Sequence, residues 1–194
     1  YIQNLMDKLL DFMTMFPTIG PYESIILAIV LIPTLIALLW GAPWVPTPMN
    51  RVKKMLHLAK VKPGEKVVDL GCGDGRLVHH ASRHHQAKAV GLELSPLIYM
   101  MAKLAQPYHI LRGSKAQVKF KNFYSHDLSD VDVLVFYLMP HALKRISPKF
   151  KKELKPGTRI VSYAFEMPKE WGEPIHHEPR IPEKKFSPIW VYKV

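Results

Sequence analysis

The chain has 194 residues, enough for about one domain of ordinary size. Apolar residues make up 48% of it, which is sufficient for a packed core and excludes global disorder. Cys72 is the single cysteine, so the sequence excludes an intrachain disulfide framework and fits a reducing compartment.

The charge is distributed unevenly along the chain. The net charge of the whole sequence is +11, but residues 1–50 contain one lysine and three acidic residues, so residues 51–194 carry +13. A basic body favours an anionic partner such as lipid headgroups, nucleic acid or an acidic protein. Lysine-rich surfaces also occur without such a partner, and composition leaves both interpretations open.

Residues 1–20 predict an amphipathic N-terminal helix. Its apolar side chains recur at helical spacing, at Ile2, Leu5, Met6, Leu9, Phe12, Met13 and Phe16. Such a helix lies either at a membrane interface or against its own domain, and the pattern does not separate the two.

Residues 21–45 predict a transmembrane or membrane-anchor segment. No charged residue occurs between Ser24 and Asn50, and residues 25–40 (IILAIVLIPTLIALLW) are apolar with two exceptions. Extended by a few residues at either end, a helix here approaches the roughly 30 Å of hydrocarbon that a span must cross. An in-plane or re-entrant anchor is the main alternative. A buried core helix is disfavoured by the lack of a polar face, and a signal peptide by the lack of a small-residue cleavage site.

The charges that flank this segment predict its orientation. Only Lys8 is basic on the N-terminal side, whereas five basic residues follow closely, namely Arg51, Lys53, Lys54, Lys60 and Lys62. Because basic flanks stay in the cytosol, we expect a single-pass protein of the cell membrane whose C-terminal domain faces the cytoplasm.

Residues 46–194 predict an α/β domain, because apolar strands alternate with helical patterns. The predicted strands are 66–71, 88–94, 118–125, 131–139 and 159–165. The predicted helices are about 50–60, one from near Asp74, one capped by Ser95, and 141–155 with an interruption near Pro148. This alternation is typical of a mostly parallel, Rossmann-like sheet.

Two connections depart from a regular alternation. Strands three and four are separated by only five residues, too few for a crossover helix, so we expect a tight turn between them. After strand five, no helical pattern follows, and the segments EPIHHEPRI and FSPIWVYKV predict an antiparallel C-terminal hairpin.

The stretch KVVDLGCGDGRLV (66–78) is the strongest local motif. Glycines at 71, 73 and 75 follow strand one and allow a backbone turn that approaches a ligand closely, beside the N-H groups that open a helix. A dinucleotide fingerprint is excluded, because Arg76 stands at its sixth position where a glycine is needed. A phosphate-binding P-loop is excluded as well, since no Gly-Lys-Ser/Thr follows.

Acidic residues follow the neighbouring strands. Glu93 ends strand two, 22 residues after Gly71, and Asp127 comes just after strand three. Parallel strands end at one edge of a sheet, so these carboxylates should lie beside the glycine turn and accept hydrogen bonds from ribose hydroxyls. Such a ligand is neutral or cationic and carries a ribose but no phosphate. S-adenosylmethionine meets these requirements.

The sequence resembles the class I S-adenosylmethionine-dependent methyltransferases. The resemblance rests on VVDLGCGDGR, VGLELSP and HDL before an apolar fourth strand, in that order. It implies that the glycine turn holds the methionine moiety, that the strand-two acid binds the ribose and that the acid after strand three contacts the adenine. The implied cofactor residues are Asp69, Gly71, Cys72, Gly73, Glu93, Leu94 and Asp127.

A narrower resemblance covers most of the chain. The hydrophobic anchor, the stretch NRVKKMLHLAKVKPGEKVVDLGCGDGR, the segment VSYAFEMPKEW and the ending IWVYKV are similar to the FAM173 family. Its members are membrane-anchored protein-lysine methyltransferases related to the Dot1 type, including mitochondrial enzymes that act on the adenine nucleotide translocase and on part of the ATP synthase. For this chain, the family implies a membrane-associated protein substrate with a lysine acceptor, contact with membrane lipids, and the mitochondrial inner membrane as the location if the source is eukaryotic.

The acceptor side is predicted at the ends of strands four and five. In class I enzymes, substrate-facing residues follow strand four, which here implies Tyr137, Met139 and Pro140 as catalytic residues and adds His141 as a candidate. FEMPKEW (165–171) can supply aromatic walls on the other side. The Asn/Asp-Pro-Pro-Tyr/Phe tetrapeptide of adenine, cytosine and glutamine amino-group methylation is absent, which disfavours nucleic acid as the acceptor.

HHASRHH (79–85) is a possible metal motif, because His80 and His84 are four residues apart on a helix. No cysteine or nearby acid completes a site, so we expect histidines on the solvated helix surface and no metal.

The sequence therefore predicts a membrane-anchored methyltransferase that uses S-adenosylmethionine and releases S-adenosylhomocysteine, with a lysine side chain as acceptor. The alternatives are a methyltransferase for a lipid or another small membrane-embedded molecule, a cofactor-binding scaffold without activity, and an RNA methyltransferase.

Overall fold

The computed structural model describes residues 20–40 and 45–194. The amphipathic helix predicted over residues 1–20 lies, apart from Gly20, outside the described residues.

The predicted membrane segment contains helix α1 (Pro21–Trp40). Most of its described side chains in the first two turns are exposed, and the helix packs against a later helix of the domain. Among residues 20–40 and 45–194, no helix has the length and apolarity needed to cross a bilayer. The predicted membrane span is therefore not confirmed.

The domain is built on a sheet of seven strands in the order β3-β2-β1-β4-β5-β7-β6. The strands are β1 (Lys66–Leu70), β2 (Lys88–Glu93), β3 (Gln117–Phe120), β4 (Val133–Phe136), β5 (Arg159–Tyr163), β6 (His176–Glu178) and β7 (Ile189–Lys193). The helices that cover it are α2 (Met49–Leu58), α3 (Arg76–His85), α4 (Pro96–Leu111) and α5 (Pro140–Glu153). Strands β1 to β5 are parallel, and β7 runs antiparallel to β5 and β6. The α/β fold and the antiparallel C-terminal pairing are confirmed.

The sheet is buried on both faces because its central strands are apolar on both sides. In β1, Val67 packs into one core with α2 and α3, whereas Val68 and Leu70 point into the other core, which includes α5. This alternation follows from the two-residue period of a strand. It fixes the register of β1 and therefore the position at which the chain leaves the sheet into the glycine turn.

The connection between β3 and β4 differs from the expected tight turn. The strands lie on opposite sides of β2 and β1, and residues 121–132 cross between them with a 3-10 turn at Phe123–Ser125. Phe123 and Leu128 are buried along the way, so this crossover covers the sheet without a full helix. The prediction was wrong because residues 121–125 were assigned to the strand, which left too short a connection.

Helix α2 is fastened to the sheet at both ends. Near its start, the buried Arg51 pairs with Glu178 of β6 and donates a hydrogen bond to the carbonyl of Ser187 at 2.8 Å. Beyond its end, Arg159 of β5 donates to the carbonyl of Ala59 at 2.8 Å. Helix α2 therefore holds the incoming chain against the domain next to the glycine turn.

Candidate functional site

The glycine turn lies between β1 and α3, at the carboxyl edge of the parallel strands. Gly71, Gly73 and Gly75 have φ angles of 74°, 58° and 78°, which are left-handed values that other residues adopt only with strain. The backbone N-H groups of Gly71 and Cys72 both donate to the carbonyl of Leu92 in β2, at 2.9 and 3.0 Å. The turn is thus folded back onto the neighbouring strand, as the sequence predicts.

Glu93 ties this turn to the start of α4. One carboxylate oxygen accepts the N-H of Gly73 at 3.0 Å, and the other accepts the N-H groups of Leu94 and Ser95 at 2.9 and 2.8 Å. The side chain is buried, and burial raises its pKa even though these three donors favour the charged form. Glu93 and Leu94 therefore lie where the sequence predicts, next to the turn.

Asp69 is a buried acid at the same edge, in β1. No described residue donates a hydrogen bond to its carboxyl group, and desolvation, followed by the charges of Glu93 and Asp74, raises its pKa to about 8. An unpaired buried carboxyl group with such a pKa is costly in an empty site and is stabilised as an anion by a bound cation.

Asp74 is paired within the turn itself. It forms an ion pair with Arg76 at 2.6 Å, and Arg76 also donates to the carbonyl of Thr47 at 3.0 Å. The residue that breaks the dinucleotide fingerprint thus connects the turn to the chain segment ahead of α2.

Cys72 and Gly91 form a close packing contact beneath the turn. A Cβ at position 91 of β2 would lie 2.5 Å from the Sγ of Cys72, so a side chain larger than glycine does not fit there. Burial raises the pKa of the Cys72 thiol, which therefore stays protonated and packs as an apolar group. Sequence reasoning missed Gly91, although a glycine inside a strand is itself a signal of close approach.

Asp127 does not lie with the other predicted cofactor residues. It is exposed and accepts hydrogen bonds from the N-H and hydroxyl of Ser129, which makes it a turn residue. Its neighbours Leu128 and Asp130 contact Glu153 at the end of α5 and Lys66 at the start of β1, so the segment has moved towards the amino edge of the sheet.

Asn122 is the polar residue that the fold places at the carboxyl end of β3. The preceding residue, Lys121, donates its backbone N-H to the carbonyl of Glu93 at 3.0 Å. The Oδ1 of Asn122 accepts the N-H of Tyr124 at 2.9 Å, which orients the side chain. Because the strand was predicted to extend to residue 125, sequence reasoning missed this position.

The predicted catalytic residues follow β4 at the same edge. Tyr137 is half-buried, with its ring centroid 5.1 Å from that of Tyr163 and 6.3 Å from that of Phe165. Burial, with a further contribution from Tyr163, raises the pKa of Tyr137. Met139 precedes the first residue of α5, Pro140, which is exposed. The three residues therefore lie together between the ends of β4 and β5.

The two aromatic residues expected to wall this region have different roles. Phe165 lies beside Tyr137, and it follows Ala164, whose φ of 72° turns the chain sharply after β5. Trp171 instead packs on α5, where its indole N-H donates to the hydroxyl of Ser147 at 2.5 Å. Phe165 belongs to the wall, whereas Trp171 fixes the loop that carries it.

The histidines of α3 are not all on the solvated surface, contrary to expectation. His79 and His80 are buried, because α3 turns this side towards α2 and α4. Desolvation lowers the pKa of each to about 4, so both are neutral at pH 7. Within the described parts of the chain, no three His, Cys, Asp or Glu residues come together as a possible metal site.

These features fit a cationic nucleoside better than a phosphate-bearing one. Asp69 and Glu93 bring two buried carboxyl groups to a backbone turn, and Asp74 adds a third nearby. Carboxylates repel phosphate but stabilise ammonium and sulfonium groups and accept hydrogen bonds from ribose hydroxyls.

Comparison with known proteins identifies the family. Residues 69–173 match the ANTKMT methyltransferase domain, and this stretch includes the glycine turn, Glu93 and the ends of β4 and β5. The chain belongs to this family. It is a class I methyltransferase, and S-adenosylmethionine is its cofactor.

Several curated relatives of this ANTKMT-domain protein share long stretches with it. A protein-lysine N-methyltransferase of Saccharolobus islandicus (strain REY15A) is 40% identical over 126 residues, which cover 64% of this chain and 78% of the relative. An adenine nucleotide translocase lysine N-methyltransferase of Mus musculus is 34% identical over 155 residues, 78% of this chain and 63% of the relative. A human lysine N-methyltransferase named for an ATP synthase component is 24% identical over 150 residues, 77% of this chain. The chain spans 60% of that human relative's length.

Solved structures agree on the fold. A crystal structure of an RNA methyltransferase from Salinibacter ruber, in complex with S-adenosylhomocysteine, matches with a TM-score of 0.70 and 29% identity. The match covers 77% of this chain and 94% of that one.

Asp69 predicts a pH dependence of stability in the cofactor-free ANTKMT-domain protein. Its folded pKa of about 8 lies above the unfolded value of 3.8, so its contribution to stability is complete below about pH 4 and is lost as the pH rises through 8. We expect the difference in unfolding free energy between wild type and Asp69→Asn, measured in urea from pH 5 to 8, to shift against the wild type as the pH rises. A difference that stays constant over this range would contradict the assignment.

Proposed function

We propose that this protein transfers a methyl group from S-adenosylmethionine to the ε-amine of a lysine in a membrane-associated protein. The observation that carries the proposal is the match to the ANTKMT methyltransferase domain, whose extent includes both the cofactor edge and the predicted acceptor wall. The lysine acceptor is supported by relatives in an archaeon and in mammals that are named lysine methyltransferases.

The cofactor side of the reaction rests on the glycine turn and on its acids. When bound, S-adenosylmethionine supplies an electrophilic methyl group. Glu93 would accept the ribose hydroxyls, the turn from Gly71 to Gly73 would hold the methionine part, and the Asp69 carboxylate would stabilise its positive charge. No metal is needed for such a displacement, and the protein contributes positioning and the exclusion of water.

The acceptor side rests on the aromatic residues at the ends of β4 and β5. A lysine must lose its proton before it can attack, and a desolvated pocket lowers its pKa. Tyr137 and Phe165 supply apolar ring surface at this edge, and Tyr163 closes one side. Aromatic faces also accept a methylated ammonium group through cation-π attraction. Met139 and Pro140 would contribute backbone and side-chain surface where α5 begins.

We further propose that α1 attaches the enzyme to the cell membrane with the domain on the cytoplasmic side. The described side chains of the first turns of α1 are mostly apolar and exposed, including Ile25, Ile26 and Ile29. The basic residues that follow α1 support the orientation. Retention of the chain in carbonate-washed membranes, together with its digestion by protease added from the cytoplasmic side only, tests this attachment.

RNA is a second candidate acceptor, because the Salinibacter ruber structure of 29% identity is named an RNA methyltransferase. The net charge of +13 over residues 51–194 is compatible with it. We favour lysine because the family match and the curated relatives agree on it, and because LMPH follows β4 where amino-group methylation of bases has its Pro-Pro tetrapeptide.

Methyl transfer with labelled S-adenosylmethionine tests the proposal. Incubation with membranes from the source organism is expected to label protein bands, and acid hydrolysis of those bands should release methylated lysine. Label in the organic extract would instead support a lipid acceptor, and label in RNA would support the second candidate. Label in none of these fractions, despite cofactor binding, would support a scaffold. Any of the last three outcomes would overturn the proposal.

Tyr137 provides the matched variants for this assay. Tyr137→Ala removes the ring from the wall, so we expect kcat/KM for the acceptor to fall by about tenfold to a hundredfold. The cofactor Kd should change little, because Tyr137 lies outside the glycine turn. Tyr137→Phe keeps the ring and should retain most of the activity. Equal losses in both variants would contradict a wall function and point to the hydroxyl group.

A further inference from the structure

Helix α4 carries an exposed apolar stripe that the methyl-transfer site does not use. Leu97, Met101, Leu104, Tyr108 and Leu111 recur at spacings of four and three, which places them on one face of the helix. All five are exposed, with Leu104 at 79% and Leu111 at 88%. The opposite face of α4, with Ile98 and Ala102, is the one buried against the sheet.

The stripe continues onto neighbouring elements. Met100 and Ile110 are exposed beside it on α4, and Phe120 is half exposed at the end of the edge strand β3. Helix α1, with its own exposed apolar side chains, packs against α4. Contiguous apolar surfaces of this kind mark protein or membrane interaction sites.

The charge around the stripe is of one sign. Between Glu93 and Asp127 the sequence has no acidic residue. The same interval holds five exposed basic residues, namely Lys103, Arg112, Lys115, Lys119 and Lys121. Arg112 lies over the ring of Tyr108 at 5.3 Å, which joins a cation to an aromatic group at the border of the stripe. Apolar side chains bordered by basic residues and an amphipathic aromatic are the composition that binds the interface of an anionic bilayer.

From these observations, we propose that the outer face of α4, with the start of the β3 edge, docks the catalytic domain onto an anionic lipid surface. The surface is distinct from the N-terminal segment and would hold the domain flat against the bilayer. A second copy of this chain is a poorer occupant, because two all-basic faces would repel each other. Nucleic acid is also poorer, because single-strand binding uses stacked aromatic residues, whereas four of the five stripe residues are aliphatic.

A site-specific fluorescent label on the full chain tests the docking. Leu104→Cys carries an environment-sensitive dye at the stripe, and Ile175→Cys carries it at an equally apolar, 62% exposed position beside β6, the opposite edge strand of the sheet. Cys72 is buried, and unsubstituted protein measures any background labelling. The probes are vesicles of phosphatidylcholine with or without phosphatidylglycerol, each also prepared with spin-labelled lipid.

We expect the dye at 104 to shift to the blue and to be quenched by spin-labelled lipid at least about twofold more than the dye at 175. The effect should require phosphatidylglycerol and should weaken with salt. Equal quenching at the two positions, or none, would overturn the proposal. So would a blue shift caused by RNA alone, which indicates nucleic acid, or by raised protein concentration without vesicles, which indicates self-association.

Charge reversal provides a second, independent readout. Arg112→Glu with Lys115→Glu should reduce quenching at 104 severalfold, because both residues border the stripe. Lys152→Glu with Lys184→Glu makes the same change in net charge at exposed positions outside α4 and β3 and should leave quenching unchanged. Equal effects of the two pairs would contradict a docking surface on α4. The lysine acceptor is not involved in either measurement, so failure here leaves the proposed activity untouched.

Discussion

The site depends on one carboxylate. Glu93 at the end of β2 accepts hydrogen bonds from the N-H groups of Gly73, Leu94 and Ser95 and so joins the glycine turn to the start of α4. Charge-assisted bonds of this type contribute about 1.5–3 kcal/mol each, and a buried carboxylate without them would not remain charged. The turn, the cofactor edge and the orientation of α4 therefore share one anchoring group.

The electrostatic cost of this arrangement indicates its ligand. Asp69 lies at the same edge without a hydrogen-bond donor among the described residues, and desolvation together with the neighbouring carboxylates raises its pKa to about 8. A positively charged cofactor would relieve this repulsion, so the cofactor-free protein sacrifices stability that binding restores. The aromatic group of Tyr137 and Phe165 adds no charge next to it. The site thus separates an acidic cofactor edge from an uncharged acceptor wall.

The sequence is sufficient to predict features that depend on strand ends and glycine spacing. The five parallel strands, the glycine turn and the position of Glu93 follow from the apolar runs and their punctuation. Asp127 shows where this reasoning fails, because an acid after a strand lies at the ligand edge only if the strand ends directly before it. Here β3 ends at Phe120, and the crossover carries Asp127 away. The buried His79 depends on which side of α3 faces its neighbours, which a run of histidines does not reveal.

The affinity for S-adenosylmethionine of Glu93→Gln, measured by calorimetry, tests the central claim most directly. The amide keeps one acceptor oxygen but turns an NH₂ group towards the N-H of Gly73, so the turn loses its tie to β2. Glu153→Gln is the matched control, since Glu153 also accepts a backbone N-H, that of Leu128, outside the cofactor edge. The account predicts that Glu93→Gln binds roughly tenfold more weakly or worse while the control binds like wild type. Unchanged affinity in a folded Glu93→Gln protein would contradict it.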